Sequence, residues 1–280
     1  MNRIKALFIS AYSAGAMAAS VHIAVNIFTQ GFNTAWLGAL IATLPPALFF
    51  AWLLGLKSAA RTSSNLPHLI ILGVAGLIVS VILPSTDALP IIYAAGFGVV
   101  GSLLYIFWYS RIDRSAAKIE VGNMLPDFTI YTTDMQPVQA DDIRKQAALI
   151  LFFRGNWCPL CMAQIKEIAA SYRELDTRGV KVYLVSPQSE RHSKSLSKQF
   201  DAPMNFMIDK NLEAAKSLGL MHENGTPMGM MGYESDTVMP TAVLTDASGT
   251  VIFADLTDNY RVRPEPQTFL DILDKHLATS

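Results

Sequence analysis

The chain has 280 residues and an almost neutral charge, with 22 Lys and Arg against 23 Asp and Glu. The charges are unevenly divided: 7 basic and 3 acidic residues occur up to residue 120, and 15 basic and 20 acidic residues follow. This acidic second part argues against a nucleic acid partner, because phosphate binding needs a basic surface. The 2 cysteines are too few and too close together for a disulfide scaffold.

The first part of the chain contains four apolar segments, near residues 7–29, 35–56, 67–84 and 88–110. Each is close to the ~20 residues that cross the hydrocarbon core of a bilayer as a helix. A buried helical core and a cleaved signal peptide are the alternatives, but four charge-poor segments in succession favour an all-α, four-helix transmembrane domain over residues 1–110. Within the last segment, the glycines of 96–101 favour close packing between helices.

The positive charges of this region predict its orientation. They precede the first segment, separate the second from the third and follow the fourth: Arg3, Lys5, Lys57, Arg61, Arg111, Arg114 and Lys118. The other two connections contain no Lys or Arg, so the positive-inside rule predicts that both termini are cytoplasmic. We therefore expect an integral multi-pass protein of a membrane, most simply the bacterial inner membrane, with the lipid bilayer as a partner.

Residues 111–120 form a short basic linker, and predicted strands and helices alternate over residues 121–280. The apolar stretch 147–153 is typical of a central strand that is covered on both faces. The predicted strands are 127–131, 147–153, 180–185, 205–208, 241–244 and 251–254, and the predicted helices are 158–178, 189–200, 211–218 and 264–277. This order indicates an α/β domain with a mixed sheet and helices on both faces.

Cys158 and Cys161 form a Cys-x-x-Cys motif that follows the central strand and begins a predicted helix. The N–H groups at a helix N-terminus stabilise a thiolate, so we expect a lowered pKa and a nucleophilic role for Cys158. Pro159 suits the first helical turn. Cys161 lies one turn later and is expected to close a disulfide with Cys158. A zinc site would need two further ligands, so we predict no metal, and we predict no cofactor.

The stretch Phe153-Arg154-Gly155-Asn156-Trp157-Cys158-Pro159-Leu160-Cys161 resembles the active-site segment of the redoxin branch of the thioredoxin-like superfamily. Within that branch it is most similar to peroxiredoxin-like proteins related to alkyl hydroperoxide reductase and thiol-specific antioxidant proteins. The resemblance covers roughly residues 121–277 and includes the segments 121–128 and 259–266. It implies a thioredoxin-like fold and an antioxidant or thiol oxidoreductase activity.

The resemblance also implies residues of a substrate site. Pro240 is expected to be a cis-proline that faces the two cysteines, and Met239 to offer its backbone to a substrate. Trp157, Pro159 and Arg154 are further substrate-binding candidates, and Arg154 could stabilise a thiolate or bind an anion. Arg261 and Arg263 are weaker candidates than Arg154, which is nearer to the cysteines in sequence. The methionines between residues 220 and 240 are expected to form a flexible apolar lip beside the site.

The motif departs from the pattern Pro-x-x-x-Thr-x-x-Cys of peroxiredoxins. Counting back from Cys161 finds Arg154 and Cys158 at the Pro and Thr positions, and counting back from Cys158 finds Leu151 and Gly155. We therefore expect a membrane-anchored thiol-disulfide oxidoreductase that cycles a dithiol and a disulfide. The alternatives are a peroxiredoxin-like thiol peroxidase that uses the same cysteines, and a redox sensor without enzymatic activity. The expected partners are a disulfide-bearing protein or a peroxide, and a thiol electron donor.

The role of the apolar helices leaves two hypotheses open. In the first, residues 119–280 fold by themselves and the helices serve as a tether. In the second, the helices hold a quinone or haem, assisted by His22, and pass electrons to Cys158.

Overall fold

The computed structural model describes residues 2–31, 33–56, 59–82 and 87–278. Four helical segments come first and form what we call the helical block: α1 (Asn2–Gln30), α2 (Thr34–Leu56), α3 (Pro67–Ile82) and α4 (Leu89–Tyr109). By length and composition, α1, α2 and α4 could each cross a membrane, and α3 is a shorter apolar helix of 16 residues. The end of the predicted third segment, residues 83–84, lies outside the described residues.

Small residues allow the helices of this block to approach one another closely. A Cβ atom built on Gly98 would lie 2.6 Å from the Cβ of Ala42 in α2, and one on Gly101 would overlap the ring of Tyr12 in α1. Gly96 faces open space. The prediction that the glycine-rich segment serves helix packing is therefore confirmed at two of its three glycines.

We call the second part of the chain, residues 121–278, the redox domain, after the Cys-x-x-Cys motif that it contains. Its strands are β1 (Thr129–Thr132), β2 (Pro137–Gln139), β3 (Ala148–Phe152), β4 (Lys181–Ser186), β5 (Asn205–Ile208), β6 (Met221–His222), β7 (Thr237–Val238), β8 (Thr241–Thr245) and β9 (Val251–Ala254). Seven of them form one sheet in the order β2-β1-β5-β4-β3-β8-β9, and β6 pairs with β7. The pairs β3–β4 and β4–β5 are parallel, whereas β8 runs antiparallel to β3. This is a mixed sheet, as the resemblance to the thioredoxin-like superfamily predicts.

Helices cover both faces of the sheet. They are α5 (Ala140–Ile143), α6 (Pro159–Ala170), α7 (Tyr172–Thr177), α8 (Glu190–Ser197), α9 (Glu213–Ser217) and α10 (Pro266–Leu277). Every residue of β3 is buried, as its apolar sequence predicts for a central strand. The single helix predicted over 158–178 is wrong in one respect: Ser171 leaves the helical conformation (φ −94°, ψ 7°) and divides it into α6 and α7. The short elements β2, α5, β6 and β7 were not predicted.

The redox domain is packed directly against the helical block. One apolar cluster contains Phe50 and Tyr105 from the helices together with Leu151 and Cys158 from the domain. The guanidinium of Arg261, which is fully buried, donates to Thr62 Oγ1, to the carbonyls of Ser63 and Ser64 before α3, and to Ser110 Oγ after α4.

Basic residues of the helical block also contact the redox domain. Arg61 forms an ion pair with Glu167 of α6, and Arg111 forms one with Asp258 at 2.5 Å. These contacts occupy side chains that the sequence alone associated with membrane orientation. They lie at the end of the helices on which the redox domain sits.

Candidate active site

The Cys-x-x-Cys motif lies where the loop after β3 enters α6. Cys158 is the N-cap of α6, and its Sγ accepts a hydrogen bond from the backbone N–H of Cys161 at 3.4 Å. Pro159 is the first residue of the helix, where the absence of its N–H has no cost. The predicted start of the helix and the predicted place of both cysteines in its first turn are therefore confirmed. Both thiols are free and buried.

The loop that delivers Cys158 depends on a glycine. Gly155 has φ +144°, a conformation that side chains other than glycine rarely adopt. A Cβ atom at this position would also lie 2.9 Å from Nε1 of Trp157. Gly155 therefore allows the indole of Trp157 to fold back over the loop next to the first cysteine.

Arg263 provides the positive charge at the dithiol. Its Nη1 and Nη2 lie 3.5 and 3.6 Å from Sγ of Cys161, and Nη2 lies 3.9 Å from Sγ of Cys158. The side chain is 5% exposed and is held by the Tyr260 carbonyl at 3.0 Å and by Gln164 Oε1 at 3.1 Å. We ranked this residue below Arg154 from the sequence. The available signal was its place in the segment 259–266, which carries part of the family resemblance.

The pKa values of the two thiols are shifted in opposite directions. Burial raises the pKa of Cys161, but the Cys158 thiol, the guanidinium of Arg263 and the backbone N–H of Arg154 together lower it to about 5. Burial and the adjacent Cys161 raise the pKa of Cys158. The expected lowering at Cys158 is therefore wrong, because the single N–H that it accepts is outweighed by burial and by the neighbouring thiolate.

Arg154 lies beside the dithiol as a buried cation, 5% exposed. Its guanidinium carbon lies 4.6 Å from the ring centre of Trp157 and 5.5 Å from that of Tyr260, and Nη2 donates to the carbonyl of Gly225. Nε of Arg154 has no hydrogen-bond partner among the described residues. Most arginines lie at a solvated surface, and Arg154 does not. Its buried position suits the binding of an oxygen-bearing ligand.

A cavity opens next to Cys158 between the redox domain and the helical block. Its empty volume, counting the open mouth, is about 650 Å³. Three of the five predicted substrate-binding residues, Arg154, Trp157 and Pro159, line it together with Cys158. Met230 also lines it, so the predicted methionine lip is present at that residue, whereas Met221 and Met239 line a different, more polar cavity.

The other two predicted substrate-binding residues do not join this site. The described residues contain no cis peptide bond, so the expected cis-proline at Pro240 is wrong. Arg114 from the linker donates to the Pro240 carbonyl at 2.6 Å and to Thr241 Oγ1 at 2.6 Å, so this segment is held by the linker where β8 begins. The backbone of Met239 is occupied within the chain, since its N–H donates to Leu220 and its carbonyl accepts from Thr241.

His22 lies away from this centre. Its Nδ1 is 3.1 Å from the hydroxyl of Tyr93 in α4, and its Nε2 is 2.9 Å from Asn26. The nearest cavity residue on α1 is Ser13, nine residues or about 14 Å along the helix. These contacts give His22 a role in packing α1 against α4.

Comparison with known proteins identifies relatives of the redox domain. Residues 121–254 match the AhpC/TSA family. A Haemophilus influenzae protein called "Putative peroxiredoxin bcp" is 24% identical over 155 residues, which cover 55% of this chain and 96% of that protein. Peroxiredoxin Q, chloroplastic, of Sedum lineare is 24% identical over 127 residues, 45% of this chain and 68% of that protein. The crystal structure of Enterococcus faecalis AhpC covers 57% of this chain and 94% of its own, with 15% identity and a TM-score of 0.47.

Proposed function

We propose that this chain is a membrane-anchored thiol peroxidase that reduces a hydroperoxide with Cys158 and Cys161, and the match of residues 121–254 to the AhpC/TSA family supports the proposal. The observation that carries the proposal is the buried guanidinium of Arg263 in contact with both sulfurs. A fixed cation of this kind holds a thiolate in a site that excludes water.

The burial of the dithiol favours a small substrate over a protein disulfide. Cys158 is 2% exposed and Cys161 is fully buried, and the helical block covers the side on which Cys158 meets the cavity. Thiol–disulfide exchange requires one sulfur to reach another directly, so a partner protein would have to displace the helices. A hydroperoxide needs only the cavity. The sequence predicts a thiol-disulfide oxidoreductase. On this comparison, that function is the second candidate.

The reaction that we propose begins at Cys158, because this sulfur lines the cavity. Its proton passes to the adjacent Cys161 thiolate, and the Cys158 sulfur then attacks the terminal oxygen of the hydroperoxide. The O–O bond breaks, a sulfenic acid forms on Cys158, and the alkoxide takes a proton from water to leave as an alcohol. The Cys161 thiol then attacks the sulfenic sulfur, which closes the disulfide and releases water. A thiol donor must reduce the disulfide to complete the cycle.

Single substitutions test this assignment. In Cys161→Ser, we expect treatment with hydrogen peroxide to leave a sulfenic acid on Cys158, because the thiol that would resolve it is absent. The Cys158→Ser variant should form little sulfenic acid, because its remaining cysteine, Cys161, is fully buried and does not line the cavity. Mass spectrometry after trapping with a dimedone reagent measures both. A sulfenic acid on Cys161 in the second variant, with none in the first, would show that the two roles are exchanged.

The rates at which a peroxide and a protein disulfide oxidise the dithiol distinguish a peroxidase from a disulfide reductase. We expect the full-length dithiol to be oxidised faster by hydrogen peroxide than by a protein disulfide at equal concentration, followed by stopped-flow tryptophan fluorescence. Cys158→Ser serves as the blank. Faster oxidation by the protein disulfide would favour the second candidate.

We further propose that residues 1–110 lie in the membrane, that 111–120 link them to the redox domain and that both termini are cytoplasmic. Side chains on the outer surface of the helices support this, since Val25, Ile71 and Ile82 are more than half exposed. The basic residues Arg61 and Arg111 and the redox domain lie at the same end of the helices, in agreement with the positive-inside rule. Reporter fusions at residues 32, 87 and 280 test it, and an extracytoplasmic signal at residue 280 would contradict it.

A further inference from the structure

We propose that residues 227–232 of the redox domain, which we call the methionine loop, insert into the surface of the bilayer beside α1. The partner of the loop is the boundary between the lipid headgroups and the acyl chains. The inference rests on the proposed location of the helices in the membrane, and it does not depend on which oxidant the dithiol takes. The redox domain is then held to the bilayer by a contact of its own, in addition to the linker after α4.

The methionine loop lies between β6 and β7 and is apolar and exposed. Its sequence is Pro-Met-Gly-Met-Met-Gly, and residues 226–233 contain no charged side chain. Met231 is 93% exposed, Met228 is 49% exposed and Met230 is 36% exposed. Adjacent apolar side chains that a folded domain leaves in contact with solvent indicate a surface that binds a partner or a membrane.

Two hydrogen bonds fix the loop against α1. The N–H of Met228 donates to the carbonyl of Ala6 at 3.1 Å, and the hydroxyl of Ser10 donates to the carbonyl of Met228 at 2.8 Å. Ser10 belongs to the apolar segment 7–29, which is predicted to cross the membrane, and lies about 7 Å beyond Lys5 along the helix axis. The loop is therefore attached on the bilayer side of the basic residues at the start of α1.

Lys5 and Trp108 mark the level of the bilayer surface at this end of the helices. The ammonium of Lys5 lies 5.6 Å from the ring centre of Trp108, in the last turn of α4. Tryptophan and the ends of long basic side chains prefer the region where headgroups meet acyl chains. Because the loop is bonded to α1 between one and five residues beyond Lys5, its methionines lie at the depth where the acyl chains begin.

The exposed apolar surface of α1 continues onto the loop. Leu7 is 52% exposed and lies three positions from Ser10, so the two residues are neighbours on the surface of the helix. Both polar groups of the Met228 backbone are bonded to α1, and the N–H of Met230 donates to the Pro227 carbonyl at 3.4 Å. These bonds reduce the cost of moving the backbone away from water. Insertion to the headgroup boundary suits such a segment.

Attraction between charges is the alternative source of a contact with lipid. Arg3 lines a groove together with Met228 and Met230, but Glu234 lines the same groove. A contact that depends on Arg3 needs anionic lipid, whereas burial of methionine side chains does not. Because the loop itself carries no charge, we expect it to insert to the same depth in neutral and in anionic bilayers.

The test places a spin label at single sites of the full-length protein in phosphatidylcholine vesicles. Cys158→Ser and Cys161→Ser remove the native thiols, so that each label is unique. Met231→Cys reports on the loop, Val21→Cys reports on a position of α1 that is 65% exposed, and Met124→Cys is the control. Electron paramagnetic resonance then measures collisions of each label with oxygen and with a water-soluble nickel complex.

Met124 is a matched control because it is also an exposed methionine of the redox domain, at 54%. It pairs with Thr250, just after Thr245, which lies opposite Ala148 at the first residue of β3. Cys158 and the helical block follow the last residue of β3, so Met124 lies at the end of the sheet that is remote from the helices.

We expect the ratio of oxygen to nickel collisions at residue 231 to be several-fold higher than at residue 124 and close to that at residue 21. The reason is that the polar nickel complex is excluded from the acyl chains. Vesicles that contain phosphatidylglycerol should give the same ratio at residue 231.

A second measurement keeps the native cysteines. In Met231→Trp, phosphatidylcholine with brominated acyl chains should quench the fluorescence of the added indole, which is obtained by subtracting the spectrum of Met231→Leu. The added indole of Met124→Trp should not be quenched. This measurement decides the question if the serine variants do not fold.

The outcomes separate the loop contact from the membrane location on which it rests. An aqueous ratio at residue 231 with a membrane ratio at residue 21 would overturn the loop contact and leave the location of the helices standing. An aqueous ratio at residue 21 would overturn both. A membrane ratio at residue 231 only in the presence of anionic lipid would assign the contact to basic side chains and overturn apolar insertion.

Discussion

Arg263 decides where the negative charge of the dithiol lies. Its guanidinium lies closer to the sulfur of Cys161 than to that of Cys158. Because both sulfurs are buried, water contributes little to the stabilisation of a thiolate. The shorter contacts of Arg263 favour a thiolate on Cys161, whereas burial and the adjacent Cys161 raise the pKa of Cys158. The Cys158 thiol can pass its proton to the adjacent sulfur of Cys161. Its own sulfur then becomes the nucleophile.

Removal of this cation should be visible in a pH titration. The pKa of Cys161 is about 5, so its thiolate is present above that pH and is lost as the pH falls through it. In Arg263→Gln we expect the pKa to rise toward the ~8.5 of an ordinary cysteine, and the thiolate fraction at neutral pH to fall accordingly. Ultraviolet absorbance of the thiolate, together with the rate of peroxide reduction at each pH, measures the change.

A surface arginine provides the control for this titration. Arg178 pairs with Asp274 at 2.6 Å and lies outside the cavity that Cys158 lines. Arg178→Gln should leave the titration of the dithiol as in the wild-type protein. An unchanged midpoint in Arg263→Gln would instead mean that the Cys158 thiol and the backbone N–H of Arg154 suffice to stabilise the Cys161 thiolate.

The sequence predicted the reactive residues that are close together in the chain and ranked the distant one, Arg263, below them. Trp157, Pro159 and Cys158 follow one another, so their proximity needs no knowledge of the fold. Arg263 is separated from Cys161 by 102 positions and reaches it only because the segment after β9 returns to the start of α6. Arg154 was predicted, yet its stacking on Tyr260 depends on the same return.

At the scale of elements, the loop between β3 and α6 connects a buried strand to a helix whose first turn is largely buried. Gly155 is the residue of this loop that requires a positive φ, and its missing side chain is the space that Trp157 occupies. Gly155→Ala should therefore destabilise the fold by about 1–3 kcal/mol and also displace Trp157 from the cavity. Thermal unfolding and the rate of peroxide reduction measure the two effects separately.

Gly179 is a matched control for this substitution. It also has a positive φ, +73°, but a Cβ atom there would meet nothing within 4 Å. Gly179→Ala should cost about 1 kcal/mol of stability through backbone strain and leave peroxide reduction unchanged. Equal losses of activity in both variants would show that Gly155 acts through stability and not through the position of Trp157.

The elements that could be predicted are those with a strong apolar pattern. Strand β5 was predicted at its observed residues, 205–208, and β3 to within one residue at each end. The break at Ser171 was not, because Tyr172 and Leu175 continue the apolar spacing of α6 and are buried in the same way. The pair β6–β7 has two residues in each strand, too few for a periodic pattern to identify.

At the scale of the whole molecule, the active site lies at the junction of two regions that the sequence treats as separate. The charge pattern divides the chain near residue 111, but charge says nothing about which surfaces meet. In the structure the apolar cluster around Cys158 includes side chains of α2 and α4. That residues 119–280 fold by themselves stays a prediction, and such a fragment would lack the helical wall of the cavity.

Arg261 offers a way to loosen this junction without touching the dithiol. Its buried guanidinium bonds to the segment before α3 and to Ser110 after α4, and it lies 5.3 Å from the ring centre of Tyr105. Losing even one hydrogen bond to a charged group, about 1.5–3 kcal/mol, favours separation of the surfaces about tenfold or more. In Arg261→Gln we therefore expect alkylation of Cys158 to accelerate by about that factor, because the covering helices open more often.

Two further measurements distinguish opening of the junction from unfolding of the redox domain. Limited proteolysis should cut Arg261→Gln faster near residues 59–66 and 111–120, while fragments of the redox domain persist. Oxidation of the dithiol by a protein disulfide should accelerate at the same time, since the helices no longer keep a partner sulfur away from Cys158. If alkylation accelerates while oxidation by the protein disulfide keeps its wild-type rate, the helices exclude small reagents from Cys158 without determining which oxidant reaches it.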